Sequence, residues 1–128
     1  MKPCLRLLCI SILGLFAATA SAQVTTAEED RALFMEALEQ QSKAKVCSAR
    51  IPDFGDKFKP AFLKWKIKHE AILRTGDAFI RTEAVKERVT IEEKVSAATR
   101  EVTQRMEADS LMVLQEKCKA VLLWVGAI

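Results

Sequence analysis

Tyrosine and asparagine are absent from this 128-residue sequence, histidine occurs once, proline three times and glycine four times. Each shortage removes a class of structure or chemistry. A β-sandwich or barrel needs a turn roughly every eight to twelve residues, and so few turn formers cannot supply them. One histidine, His69, cannot build an HExxH zinc site, and no CxxC or CxxCH spacing offers a redox or haem motif. Excess charge is also missing: 20 Lys+Arg face 17 Asp+Glu. What is plentiful is apolar material, at 50% of residues. That suffices for the core of one small domain and argues against disorder.

Residues 1–22 read as a secretory signal peptide. Lys2 and Arg6 give the positive start, Leu7 to Ala18 is an uncharged apolar run, and Ala20-Ser21-Ala22 places cleavage between Ala22 and Gln23. The run is short for a membrane-spanning helix, which needs about 20 residues. The expected product is a single helical domain over residues 23–128, periplasmic or secreted. Its charge is nearly neutral, 18 basic against 17 acidic residues, so the basic pI of the whole chain gives no reason to expect a nucleic-acid partner.

Cys4 and Cys9 leave with the leader. Cys47 and Cys118 remain, and an exported chain with one pair has one intramolecular connectivity. The expected disulfide closes a loop that stabilises the fold by about 4 kcal/mol in the chain-entropy model.

The periodicity is helical. Thr26-Ala27-Glu28-Glu29 matches a capping box, and Leu33, Phe34, Ala37, Leu38, Gln41 and Ala44 recur at 3-4 spacing behind it. A first helix is predicted over about 27–49. Ile51 to Asp56 breaks the chain with Pro52 and Gly55. A second helix then carries Phe54, Phe58, Phe62, Trp65, His69, Ile72 and Leu73 on one face. Gly76 is a candidate stop, yet the apolar phase runs through it to Ile80 and Ala84, so the helix is predicted to continue to about Arg88. A second capping box, Thr90 to Glu93, opens a third helix with Ile91, Val95, Ala98, Val102 and Met106 inward. From Asp109-Ser110 the stripe shifts to Leu114, Cys118, Val121, Leu122 and Val125.

The expected fold is therefore all-α: three long antiparallel helices, with a fourth short C-terminal helix as the alternative. The disulfide favours three. In an up-down-up-down chain Cys118 lies eight residues down the fourth helix, about 12 Å from the pole where the first helix ends, and a disulfide needs Cα atoms within about 7 Å. In the three-helix arrangement the hairpin of residues 78–96 projects beyond the first helix and becomes a candidate homodimer contact.

For chemistry the sequence offers little. His69 lies between Trp65 and Ile72 on an apolar face, where a packed imidazole is the simpler reading than a catalytic one. Glu36/Glu39 and Glu83/Glu87 share helix faces, but interleaved basic residues make them salt-bridge formers. No catalytic residue, metal site or cofactor is expected. Residues 57–68 stand out, with five lysines, no acid and three aromatics. Lys57, Lys64, Lys66 and Lys68, with Leu63 and Ile67 off the main stripe and Trp124 off the C-terminal one, form the candidate contact surface. The expectation is a non-enzymatic protein-binding module of inhibitor, immunity or adaptor type. The alternative is a module held at an anionic lipid or envelope surface by the same lysines.

Overall fold

The structure is a computed structural model that describes residues 26–128. The segment read as a signal peptide, residues 1–22, and its cleavage point between Ala22 and Gln23 lie outside the described residues. The described chain is all-helical: α1 Ala27–Arg50, α2 Phe54–Lys68, α3 Glu70–Glu87, α4 Ile91–Ala108 and α5 Leu111–Val125.

The ends of the helices follow local chemistry. Thr26 Oγ1 accepts the Glu29 N–H at 3.2 Å while the Glu29 carboxylate accepts the Thr26 N–H at 3.0 Å. Thr90 and Glu93 repeat the pair before α4, at 3.1 and 2.8 Å. Each box satisfies two N–H groups that a helix start leaves without intrahelical partners. α3 stops at Arg88, which takes the left-handed conformation (φ 58°), and the Val89 N–H closes back on the Ala84 carbonyl at 3.1 Å. α5 stops the same way at Gly126 (φ 73°), with the Ala127 N–H on the Leu122 carbonyl at 2.9 Å.

α1 is the spine against which every other helix packs. α3 covers its first half, α4 runs beside it, and α2 and α5 cover its second half. The main core lies in that second half: Ala44, Val46, Cys47, Phe54, Phe58, Phe62, Met106, Leu114, Cys118, Val121, Leu122 and Val125 form one buried cluster. At its centre Cys47 and Cys118 are bonded, with Cα atoms 5.7 Å apart.

The helix count corrects the three-helix expectation in two places. The second helix continues through Gly76 to Glu87, but it is broken at His69, whose backbone (φ −107°, ψ 16°) leaves the helical region for one residue. The reason is tertiary. α2 is held off α1 by the buried rings of Phe54, Phe58 and Phe62. α3 is pulled into backbone contact: a Cβ on Gly76 would lie 2.4 Å from the Asp30 carbonyl oxygen and 2.6 Å from Phe34 Cβ. One straight rod cannot keep both separations. The second correction is that the C-terminal stretch is a helix of its own, turned back at Asp109-Ser110, and it still reaches Cys47. Arg50, the last residue of α1, donates to the carbonyls of Met106, Glu107 and Asp109 at 3.5, 3.3 and 3.0 Å, so the α4–α5 corner stands beyond the end of α1. Cys47 itself sits nearly a turn inside that end. The 12 Å offset assumed a common pole that the molecule does not have. A smaller difference is that the break after α1 spans only residues 51–53, with left-handed Asp53 (φ 61°) making the turn and Gly55 and Asp56 already helical.

The first half of α1 is held more by small residues and ion pairs. Ala37, Ile80, Ala84 and Thr99 are buried there. Arg31 grips Glu83 through two hydrogen bonds of 2.9 and 3.0 Å, and Lys94 joins Glu83 at 3.3 Å and Glu87 at 2.8 Å. The Arg31 guanidinium, hydrogen-bonded to Glu83, and the Lys94 ammonium hold the Glu83 carboxyl below its ordinary value, and burial opposes them. This network ties the 78–96 segment back to α1, while Val85 at its tip stays 77% exposed.

Two predictions follow from this packing. Gly76→Ala improves helix propensity by about 1 kcal/mol, yet it should lower unfolding free energy in urea by about 1–3 kcal/mol, because the methyl group meets backbone that cannot give way. Because the Glu83 pKa is lowered on folding, its stabilisation is complete above the ordinary carboxylate range and fades as pH falls through it. Urea titrations at about pH 7 and about pH 3 should therefore show a smaller loss for Glu83→Gln than for the parent protein.

Candidate binding surface on helix α2

α2 carries five lysines and one acid, Asp56, in fifteen residues, a local balance of +4. The rest of the described chain holds 13 basic and 16 acidic residues, a balance of −3. The charge is thus strongly segregated. The segregation is also uncompensated, since none of Lys57, Lys59, Lys64, Lys66 and Lys68 takes part in an ion pair among the described residues.

Helical geometry sorts these side chains. Phe54, Phe58, Phe62, Trp65 and His69 form the inward stripe, stacked ring on ring with centroids 5.7, 5.0, 6.0 and 4.2 Å apart. The opposite side of α2 presents Leu63, 56% exposed, and Ile67, 67% exposed, one turn apart. A row of lysines lies to each side of that apolar pair.

On one flank Lys57, Lys64 and Lys68 line a depression of about 630 Å³ with Trp65, His69 and the end of α5 from Leu123 to Ala127. Trp124 packs on Trp65 with centroids 4.4 Å apart and the ring planes tilted by 39°, and its Nε1–H donates to Glu36 at 2.8 Å. His69 Nδ1 lies 2.7 Å from the Trp65 carbonyl. A carbonyl can only accept, so Nδ1 is the donor in this contact. The Trp124 indole N–H therefore ties α5 to α1, and His69 Nδ1 is engaged locally at the end of α2.

On the other flank, between α1 and α2, lies a groove of about 510 Å³. Its floor is Ala44, Phe58, Phe62 and Leu63, and Lys45, Lys59 and Lys66 stand around it with Gln41 and Ser48. Lys66 Nζ lies 5.4 Å from the Phe62 ring centroid, a cation–π distance. No acid lines either depression.

The candidate residues read from sequence therefore divide. Lys57, Lys64, Lys68 and Trp124 share one depression, Leu63 and Lys66 line the other, and Ile67 stands on the outer side between the two lysine rows. Lys45 and Lys59 belong to the surface and were not singled out. Lys59 sat in view within the lysine-rich run. Lys45 carried no signal, because it comes from α1 and joins the surface only through the fold. The carboxylate pairs are occupied: Glu39 binds Lys43 at 2.6 Å, and Glu83 and Glu87 share Lys94. Among the described residues no three His, Cys, Asp or Glu side chains cluster as metal ligands do, and no helix is long and apolar enough to cross a membrane.

In comparisons with known proteins, no family model matches the chain, and no curated protein or solved structure resembles it significantly.

Unpaired lysines on one short helix repel each other. Lys64 and Lys68 are an i,i+4 like-charge pair, and Lys57 sits in the first turn, where the helix dipole disfavours a cation. Lys57→Gln with Lys64→Gln should therefore raise unfolding free energy by a few tenths of a kcal/mol at low salt, with the gain shrinking as salt rises. A calorimetric scan across salt concentrations checks this.

Proposed function

We propose that the chain is a small exported, non-catalytic binding module whose lysine-bearing helix α2 docks an acidic partner protein. The observation that carries the reading is the concentration of +4 on one helix whose lysines form no ion pair among the described residues. Cations facing solvent in this density raise the encounter rate with an acidic surface and select against basic ones. The exposed pair Leu63 and Ile67 adds apolar contact area between the two rows. A protein partner suits the surface better than a flat lipid one, because both lysine rows flank concave depressions that a bilayer surface cannot enter. Two exposed aliphatic side chains also give little insertion depth compared with the broad apolar face of an interfacial helix. Export fits the intramolecular disulfide, which persists in oxidising compartments, and the charged-then-apolar pattern of residues 1–22.

Affinity purification of the mature chain from its own extracytoplasmic fraction tests the reading. The expected result is a stoichiometric acidic protein that is released as salt rises. It should not be retained by a variant with Lys57, Lys59, Lys64, Lys66 and Lys68 all changed to Gln. Equal retention by that variant overturns the reading. So does salt-sensitive binding to phosphatidylglycerol vesicles with no protein partner retained.

A further inference from the structure

Resting on the acidic-partner reading above, we propose that the groove between α1 and α2 receives an amphipathic α-helix of the partner, with acidic residues on both sides of its apolar stripe. α1 and α2 lie side by side as an antiparallel pair joined by residues 51–53. One flank of that pair is already covered by a helix. α5 lays Leu114, Cys118, Val121, Leu122 and Val125 against it at 3-4 spacing. The opposite flank is uncovered, and there Ala44, Phe58 and Phe62, only 3–7% exposed, form the floor of the groove, with exposed Leu63 at its lip. A second helix on that side packs as α5 does, its side-chain ridges lying in the grooves between the side-chain rows of the helices it meets.

The dimensions and charges set the occupant's pattern. Along α2 the groove extends from Phe58 to Lys66, about 12 Å at 1.5 Å per residue, which is a little over two helical turns. Its α2 edge carries Lys59 and Lys66, one heptad apart, and its α1 edge carries Lys45. Cations on both edges and acids on neither require acids on both borders of the docked helix, as at the flanking positions of a coiled coil. The apolar floor requires aliphatic residues at i, i+3 or i+4 and i+7 between them. Leu63, more than half exposed, lies at the lip where such a side chain makes its first contact.

The test uses a peptide of about 20 residues with leucines at i, i+3, i+4 and i+7 spacing and glutamates on both borders. A scrambled peptide of the same composition and phosphatidylglycerol vesicles serve as the comparison probes. Fluorescence anisotropy with the folded mature protein should show saturable binding of the patterned peptide. Leu63→Glu should weaken it roughly tenfold or more, and Lys59→Glu with Lys66→Glu should do the same, as loss of a groove contact and reversal of two edge charges predict. Both sites are solvent-facing, and circular dichroism verifies that the variants stay helical. Amide shifts on binding should fall at Ala44, Ser48 and Leu63 and spare Ala61 and Leu123 on the far flank of α2. Equal affinity for the scrambled peptide, undiminished affinity in both variants, or binding to vesicles alone overturns the inference. Failure here leaves the broader reading standing if the purified acidic partner still depends on the five lysines. Loss of that lysine dependence overturns the broader reading whatever the peptide does.

Discussion

The outward face of α2 depends on the covalent bond that fastens α5 to the end of α1. Cys47 and Cys118 lie at the centre of the buried cluster, and the bond removes conformational freedom from a loop of about 70 residues in the unfolded chain, worth about 4 kcal/mol in the entropic model. With α5 held there, α2 has one place left to put its phenylalanine stripe, and that placement decides which lysines look outward and on which side. Neither α2 nor α5 exceeds fifteen residues, a length at which an isolated helix is marginal in water. Their helicity comes from the shared core, so the surface they display follows from the cross-linked cluster and not from α2 alone.

Two separations along one spine account for the rest of the shape. Phenylalanine rings keep α2 away from α1, and the bare backbone of Gly76 lets α3 touch it. His69 absorbs the difference. Its N–H still bonds the Trp65 carbonyl at 3.1 Å, its ring bonds the same oxygen, and the Leu73 N–H finds the His69 carbonyl at 2.9 Å. The bonds made by the His69 backbone itself therefore persist, while the N–H groups of Glu70, Ala71 and Ile72 make no backbone bond back across the bend. The bend also explains why the lone histidine sits where it does: a flat ring that stacks on Trp65 at 4.2 Å and satisfies a local carbonyl suits a one-residue bend in the helix.

What the sequence revealed and what it hid divide along this line. Features set by a few adjacent residues were legible: both capping boxes and the passage of a helix through Gly76. Features set by two distant segments were not. The break at His69 comes from the sizes of Phe58 and Gly76 measured against α1, and no window around residue 69 contains both. Thr99 is buried and Ala98 exposed, one position off the predicted stripe, because α4 turns toward a partner whose location the stripe does not encode. The lysine-rich run announced a cationic helix, but its division into two rows and the contribution of Lys45 from α1 needed the fold.

The contrast between the two ends of the molecule bears on which charges are structural. Around Glu83, cations and anions interlock: Arg31 and Lys94 converge on it, Glu87 shares Lys94, and the carboxyl and both cations are shifted toward their charged forms by hydrogen bonds to one another. Those residues hold α3 and α4 to the spine. Arg74 with Glu70 and Arg81 with Asp77 repeat the arrangement on the surface of α3. On α2 the same chemistry is withheld. Its lysines lie within a chain that has acids to spare elsewhere, yet no neighbouring helix brings one within reach. Since paired charges at the surface contribute little to stability and unpaired like charges subtract from it, the fold gains little from these ammonium groups beyond the Lys66–Phe62 contact. In the proposed reading, their energetic role lies with carboxylates that an acidic partner supplies from outside.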